Sequence, residues 1–393
     1  MNSKTKIAMA VLLTFSATCV LFVYIFNTFG ISVGRGNFRR LEAVGRIIED
    51  RYIGEFDLQK AEDAAINAIL STIDDPYSQY YDEDGTLSLL TSIDGNYVGV
   101  GIEIASNIQT GEIVVLTVYK GGPAHRAGLM SGDVILAVDG VSYDGSSMDE
   151  AVSYMKGQGI DDPLGRELVI TVRRVDETLE LRMPREEIDM YYIEQKELAD
   201  GLVYIQYTGF SRDSARNLQN IIESLDESTT GIILDLRENP GGDLDAAVEV
   251  CDLFLDGGMI MYTEDKEGKR EERYASAGGC DLPLAILVDG GTASASEIVA
   301  GCMQARNRAV IIGEKTYGKG VSQMICSLGP DYTGGILKVT GYKNYRPDGI
   351  WINEAITPDI EVENNISIDE YGNITFDAQG DEPLNRAVEE LKK

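Results

Sequence analysis

Histidine is almost missing from this chain: His125 is the single one among 393 residues. A Ser-His-Asp triad could draw on that residue alone, and a zinc site needing two histidines is impossible. The five cysteines (Cys19, Cys251, Cys280, Cys302, Cys326) show no Cys-x-x-Cys spacing. Cys19 falls in an apolar run, and spacing leaves open whether the other four pair or stay reduced. Basic residues are outnumbered, 34 Lys and Arg against 65 Asp and Glu, for a formal net charge of −31. So acidic a body repels nucleic acid and anionic lipid heads, and it suits solubility outside the cell. No Gly-x-Ser-x-Gly elbow occurs, which disfavours an ordinary α/β-hydrolase. Two Ser-x-x-Lys matches, Ser3–Lys6 and Ser153–Lys156, lack the accompanying Ser-Asp-Asn and Lys-Thr-Gly motifs.

The chain is long enough for two or three domains. Its 44% hydrophobic and 25% charged residues are typical of a globular protein. Ile7 to Phe29 carries no charge, and about 20 such residues span a bilayer. The length of this run and the lack of a small-x-small site after it favour an uncleaved signal anchor over residues 1–30. Lys4 and Lys6 on one side, and Arg35, Arg39 and Arg40 on the other, leave its orientation open. Apolar residues at helical spacing (Leu41, Val44, Ile47, Ile48, then Ala61 to Ile73) predict two helices in an N-terminal region over 37–90. Asp75-Pro76 stops the second.

From Tyr97 to about Met183 the pattern changes to strands, glycine turns and one helix over Met148 to Lys156. The run Gly122 to Gly140, with Pro-Ala, Ala-Gly-Leu, Gly-Asp and a strand into Asp-Gly, resembles a PDZ domain, here over 95–184. The resemblance implies a peptide-binding loop at Val98, Gly99, Val100, Gly101 and Ile102, whose amides capture a peptide's C-terminal carboxylate while the peptide adds as a strand. His125 sits in this module and reads as an exposed polar residue.

Past Gly201, apolar runs alternate with helical stretches: LVYIQY, a helix from Arg212, GIILDL, a helix from Leu244, then Leu284 to Val288 and Ala309 to Ile312 as further buried strands. That alternation predicts a layered α/β core over 185–363. The acidic segment 364–393 reads as a peripheral tail ending in a short helix.

A serine enzyme needs a nucleophile, a base and an oxyanion site. Ser294 stands at a predicted helix start, where free backbone N–H groups and the helix dipole favour a developing negative charge. Ala295 would point its amide at the oxyanion, and Ser296 faces elsewhere as support. With histidine unavailable the base falls to a lysine, which must be buried to be neutral at pH 7. Lys319, between Gly318 and Gly320, suits close approach better than Lys315, and Gln323 could hold its amine. A second oxyanion donor is expected from Gly241 or Gly242 in the Asn-Pro-Gly-Gly turn.

GTASASEIVAG, GEKTYGKGVSQ and DLRENPGG, with a PDZ-like module upstream, closely resemble the C-terminal processing (tail-specific) serine peptidases over nearly the whole chain after the apolar run. The resemblance implies Ser294 as nucleophile, Lys319 as base, Gln323 as its orienter, and Ala295 with one of Gly241 and Gly242 as oxyanion donors. It implies an α/β and α+β multidomain fold: a crotonase/ClpP-like ββα peptidase core, an inserted PDZ domain and a helical N-terminal region. No cofactor or metal is expected. The expected partners are protein or peptide substrates with free C-termini and the membrane through the N-terminal segment, with a homo-oligomer allowed. The expected location is the cell membrane, single-pass, with the catalytic part extracytoplasmic. Asp243 replaces a more usual hydrophobic residue after the glycines, Gly157 to Gly165 is enlarged, and Trp351 stands where polar residues are common. The competing readings are a PDZ adaptor on an inactive peptidase fold and an acyl-CoA-type enzyme on a crotonase fold.

Overall fold

The computed structural model describes residues 38–393 except 84, 87–88, 91–95, 108, 190–192, 331–333 and 377–379. The expected anchor over 1–30 lies outside the described residues, and no described helix is long and apolar enough to cross a membrane. The chain divides into two compact units, Met1–Ser71 and Thr72–Lys393.

The first unit contains helices α1 (Arg39–Arg51) and α2 (Leu58–Leu70). Asp57 caps α2 by accepting from the Lys60 amide. Neither helix has a buried residue.

The second unit begins with a departure from the sequence reading. Residues Gln79–Tyr81 form β1, which pairs with Ile336–Tyr345 far along the chain. The segment read as the end of the helical region therefore belongs to the α/β core that follows. Its Asp75-Pro-Tyr-Ser turn is held from the other side, by the Thr340 amide donating to Ser78 Oγ at 3.0 Å.

A small barrel-like module comes next. It consists of β2 (Asn96–Gly99), β3 (Ile102–Ser106), β4 (Ile113–Val118), a helical turn α3 (Pro123–Arg126), β5 (Val134–Val138), β6 (Val141–Ser142), α4 (Met148–Met155), β7 (Glu167–Arg174) and β8 (Glu177–Pro184). The sheet order is β3-β4-β5-β7-β8, around a core that includes Val115, Leu129, Ile135 and Ile170. β2 stands apart from this sheet and pairs with β9 (Glu186–Asp189).

The core sheet holds β10 (Ile193–Glu197), β11 (Leu202–Tyr207), β12 (Gly231–Asp235), β15 (Leu284–Val288), β16 (Ala309–Gly313) and β19 (Ile360–Glu361), in that order. All pairs are parallel except β10 with β11. Every residue of β12 and β15 is buried, as expected for central strands covered on both faces. One face is covered by α5 (Arg212–Ser224), α6 (Leu244–Phe254) and α7 (Ala295–Ala305). A second, antiparallel sheet of β13 (Gly258–Glu264), β14 (Arg270–Ala275), β17 (Val321–Ser327), β18 (Ile336–Tyr345) and β1 packs beside it.

The expectation of a peripheral C-terminal tail is overturned. The last helix, α8 (Glu382–Leu391), covers the other face of the parallel sheet: Ala387, Leu384 and Leu391 pack on Tyr204, Ile233, Ala285 and Leu287. Before it, β20 (Ile366–Ile368) and β21 (Ile374–Phe376) form a hairpin. The tip of the hairpin reaches the barrel-like module, where the Val118 amide donates to Tyr371 O at 2.9 Å. The acidic composition concealed this because the segment's apolar residues are few and widely spaced.

Candidate active site

Three neighbouring parallel strands supply the site. The loops leaving the C-terminal ends of β12, β15 and β16 carry its parts, at the edge where α/β sheets generally bind ligands. The loops are cross-tied. Asp289 Oδ1 accepts from the amides of Glu238 (2.9 Å), Gly291 (2.9 Å) and Thr292 (3.0 Å). Thr292 Oγ1 donates to Leu236 O at 2.8 Å, and the Ala293 amide to Asn239 O at 3.0 Å. Burial pushes the Asp289 carboxyl above the usual carboxylate range.

Ser294 precedes the first residue of α7 and holds φ 57°, ψ −113°. A side chain rarely adopts a positive φ unless its surroundings impose it. Here the cross-ties on one side and a helix buried from Ala295 to Met303 on the other do so. Ser296 is buried, its hydroxyl donating to Asn239 O at 2.9 Å, so it serves as the support anticipated from the sequence.

Glu297 ties the Ser294 backbone to the lysine loop. It is 0% exposed, and its carboxylate accepts from the Ser294 amide (2.9 Å), Thr316 Oγ1 (2.6 Å), the Gly318 amide (2.7 Å) and the Lys319 amide (2.8 Å). The Ser294 and Lys319 amides share one oxygen, Oε2. A side chain on α7 thus fixes both backbones. Sequence reasoning missed this role, although Ser-x-x-Glu at a helix start is a capping signal that could have drawn attention to it.

Lys319 and Ser294 line one cleft of about 370 Å³, together with Gln323, Gly242, Ala295 and Lys338. The Lys319 amine lies over the Tyr77 ring, 5.0 Å from its centroid. Burial lowers the lysine's pKa; the like charge of Lys338 lowers it further, and Glu297 opposes the shift. The flanking glycines are needed sterically. A Cβ at Gly320 would overlap the Asn353 main chain, and Trp351 Nε1 holds Gly320 O at 2.7 Å. That bond accounts for the tryptophan in this segment. Lys315 is exposed and does not line the cleft. Gln323 Nε2 donates to Thr340 Oγ1 at 3.2 Å, which leaves its Oε1 for another donor.

The two glycines of the turn differ. The Gly241 amide donates to Asn239 Oδ1 at 2.9 Å, whereas Gly242 lines the cleft and its amide has no hydrogen-bond partner among the described residues. A Cβ on Gly241 would lie 2.8 Å from the Ala295 amide nitrogen, so the turn and the helix start are in close approach. Asp243 caps α6 by accepting from the Ala246 amide at 2.7 Å, which explains an acid after the glycines.

The loop expected to bind peptide is partly engaged. Val98 and Gly99 pair with Glu187 and Glu186 of β9, and the Val100 and Gly101 carbonyls accept from the amides of Ala124 (2.9 Å) and Tyr119 (3.0 Å). Burial pushes the pKa of the Tyr97 hydroxyl up to about 12, against the pull of the Ile102 and Gly101 amides beside it. His125 is half-buried rather than exposed, its ring 4.4 Å from that of Tyr371, and it lies outside the cleft.

Comparison with known proteins agrees with this architecture. Residues 201–362 match Peptidase family S41, 114–174 a PDZ domain, and 30–85 the Activating protease CtpB N-terminal domain. A probable CtpA-like serine protease of Staphylococcus aureus (strain COL) is 32% identical over 363 residues, covering 90% of this chain and 71% of that protein. A carboxy-terminal-processing protease of Bartonella bacilliformis (strain ATCC 35685 / KC583 / Herrer 020/F12,63) is 34% identical over 344 residues, covering 84% and 76%. Among solved structures, a photosystem II D1 C-terminal processing protease superposes with TM-score 0.52 and 26% identity, covering 84% of this chain and 87% of that one. Such likeness spans the helical region, the PDZ domain and the core together rather than one module, and on that ground the chain belongs to the S41 serine peptidases, in the group of carboxy-terminal-processing proteases.

Proposed function

We propose that this peptidase is a membrane-anchored, extracytoplasmic endopeptidase that cuts protein substrates near their C-termini with a Ser294–Lys319 dyad. The Ser294 hydroxyl attacks the scissile carbonyl while neutral Lys319 takes its proton, forming an acyl-enzyme that water then resolves. The amides of Ala295 and Gly242 stabilise the oxyanion; both residues line the cleft, and neither amide has a partner among the described residues. Gln323 orients the lysine amine through Oε1. The PDZ domain receives the substrate tail at Val98–Ile102. The reading is carried by Glu297, which bonds the backbones of nucleophile and base through one oxygen, beside a lysine whose pKa burial lowers. The relatives' names, which speak of carboxy-terminal processing, support the site of cleavage. The uncharged run Ile7 to Phe29 supports the anchor. Leu41, Val44 and Ile47, exposed along α1, suit assembly with a second copy.

The test uses the full chain in detergent with an unstructured-tailed substrate. Ser294→Ala and Lys319→Ala should each lower kcat/KM by at least about 10³-fold, and Lys315→Ala should not. Full activity in Lys319→Ala overturns the dyad. Unchanged cleavage after amidating the substrate's C-terminus overturns tail recognition.

A further inference from the structure

Lys338 is a second cation of the cleft, one that tunes Lys319 by its charge but takes no proton itself. It lies on β18, with Gln79 of β1 opposite it on one side and Ile325 of β17 on the other, so both neighbouring strands fix its backbone. It is half-buried and lines the same cleft as Ser294. The chain carries 65 acidic residues against 34 basic ones. Yet Lys338 forms no ion pair among the described residues. The Tyr81 ring lies 6.0 Å from its amine, at the outer limit of a cation–π contact. Asp243, the acid lining the cleft, spends its Oδ1 on the cap of α6. A half-buried charge without a counter-ion is costly unless something supplies one.

We propose that Lys338 is a specificity residue that pairs with a carboxylate of the bound substrate close to the scissile bond. The inference rests on the peptidase reading. The carboxylate comes either from an acidic side chain or from the substrate's own C-terminus. A positive charge fixed on a cleft wall favours such substrates and disfavours lysine or arginine at the same subsite.

The experiment uses the full chain and quenched peptides that share one tail, with Glu, Gln or Lys at each of the two positions either side of the cut, and with free or amidated ends. At one position Glu should exceed Gln by about tenfold in kcat/KM, the scale of one partly screened charge pair. Lys338→Met should flatten the preference, Lys338→Glu should invert it toward Lys, and Lys338→Arg should retain it. If amidation, rather than Gln, removes the preference, and does so only with Lys338 present, the carboxylate is the main-chain terminus. No preference in the wild type, or one that survives in Lys338→Met, overturns the proposal. If the wild type cuts no peptide, the peptidase reading fails instead. Fluorescence anisotropy of the Glu and Gln peptides on Ser294→Ala then still decides whether Lys338 selects charge.

Discussion

At the scale of single residues, the charges around the Lys319 amine make predictions of opposite sign. Lysine accepts a proton only when neutral, so kcat/KM rises with pH as the amine loses its proton. Burial lowers that pKa first, the Lys338 charge lowers it further, and Glu297 raises it. Lys338→Met removes a like charge, so the acidic limb of the pH–rate profile should move to higher pH, with activity recovered in more alkaline buffer. Glu297→Gln removes an opposite charge, so the limb should move to lower pH even as the maximum rate falls. Limbs that do not move in either variant would show that Lys319 is not the titrating base. Glu297→Ala is a separate matter: it leaves four donors without their acceptor. At about 1–3 kcal/mol for each buried unsatisfied group, loss of the folded state is expected in thermal denaturation. That Ser294, Lys319 and Gln323 would line one cleft was legible in the sequence, because a helix start and a glycine-flanked lysine are local signals. Which of Gly241 and Gly242 keeps an unbonded amide was not, since it depends on where the Asn239 side chain donates and accepts.

At the scale of elements, the alternation of strand and helix made the core readable, because central parallel strands are nearly continuous apolar runs. The β2–β3 loop was readable only as a motif. The sequence Tyr-Val-Gly-Val-Gly does not announce that Tyr97 folds back over Gly99 and sets its hydroxyl beside the Gly101 and Ile102 amides. Those amides are the ones a peptide carboxylate would need. On the tail-binding reading, a peptide must therefore displace the phenol oxygen. Tyr97→Phe keeps the ring and removes the competitor, so a peptide with a free C-terminus should bind several-fold more tightly by fluorescence anisotropy, and an amidated one should not change. Equal affinity in wild type and variant would show that the hydroxyl does not compete, and weaker binding in the variant would make it part of the peptide site.

At the scale of the whole molecule, the C-terminal segment joins parts that the sequence kept separate. Arg237, on the loop after β12, is buried and paired with Asp235 and with Asp381 at 2.8 Å, and its guanidinium stacks on Phe376 at 3.6 Å. From that anchor the hairpin extends to the PDZ domain, where Tyr371 packs on the domain's core and Asn373 Nδ2 donates to Val118 O at 3.1 Å. A buried pair spread over residues 237 and 381 leaves no periodic trace, which is why composition alone made the segment look peripheral. The two ends of this strap should respond differently to mutation. Asp381→Ala removes one carboxylate from a buried cation that retains Asp235, and should cost about 3 kcal/mol of core stability in denaturant titration. Tyr371→Ala should leave core stability nearly unchanged but raise hydrogen exchange at the Val118 and Ser131 amides, which donate to the carbonyls of Tyr371 and Glu370. If Tyr371→Ala lowered core stability as much as Asp381→Ala, the hairpin and α8 would unfold as one unit with the parallel sheet, and PDZ attachment could not be tuned apart from the stability of the peptidase.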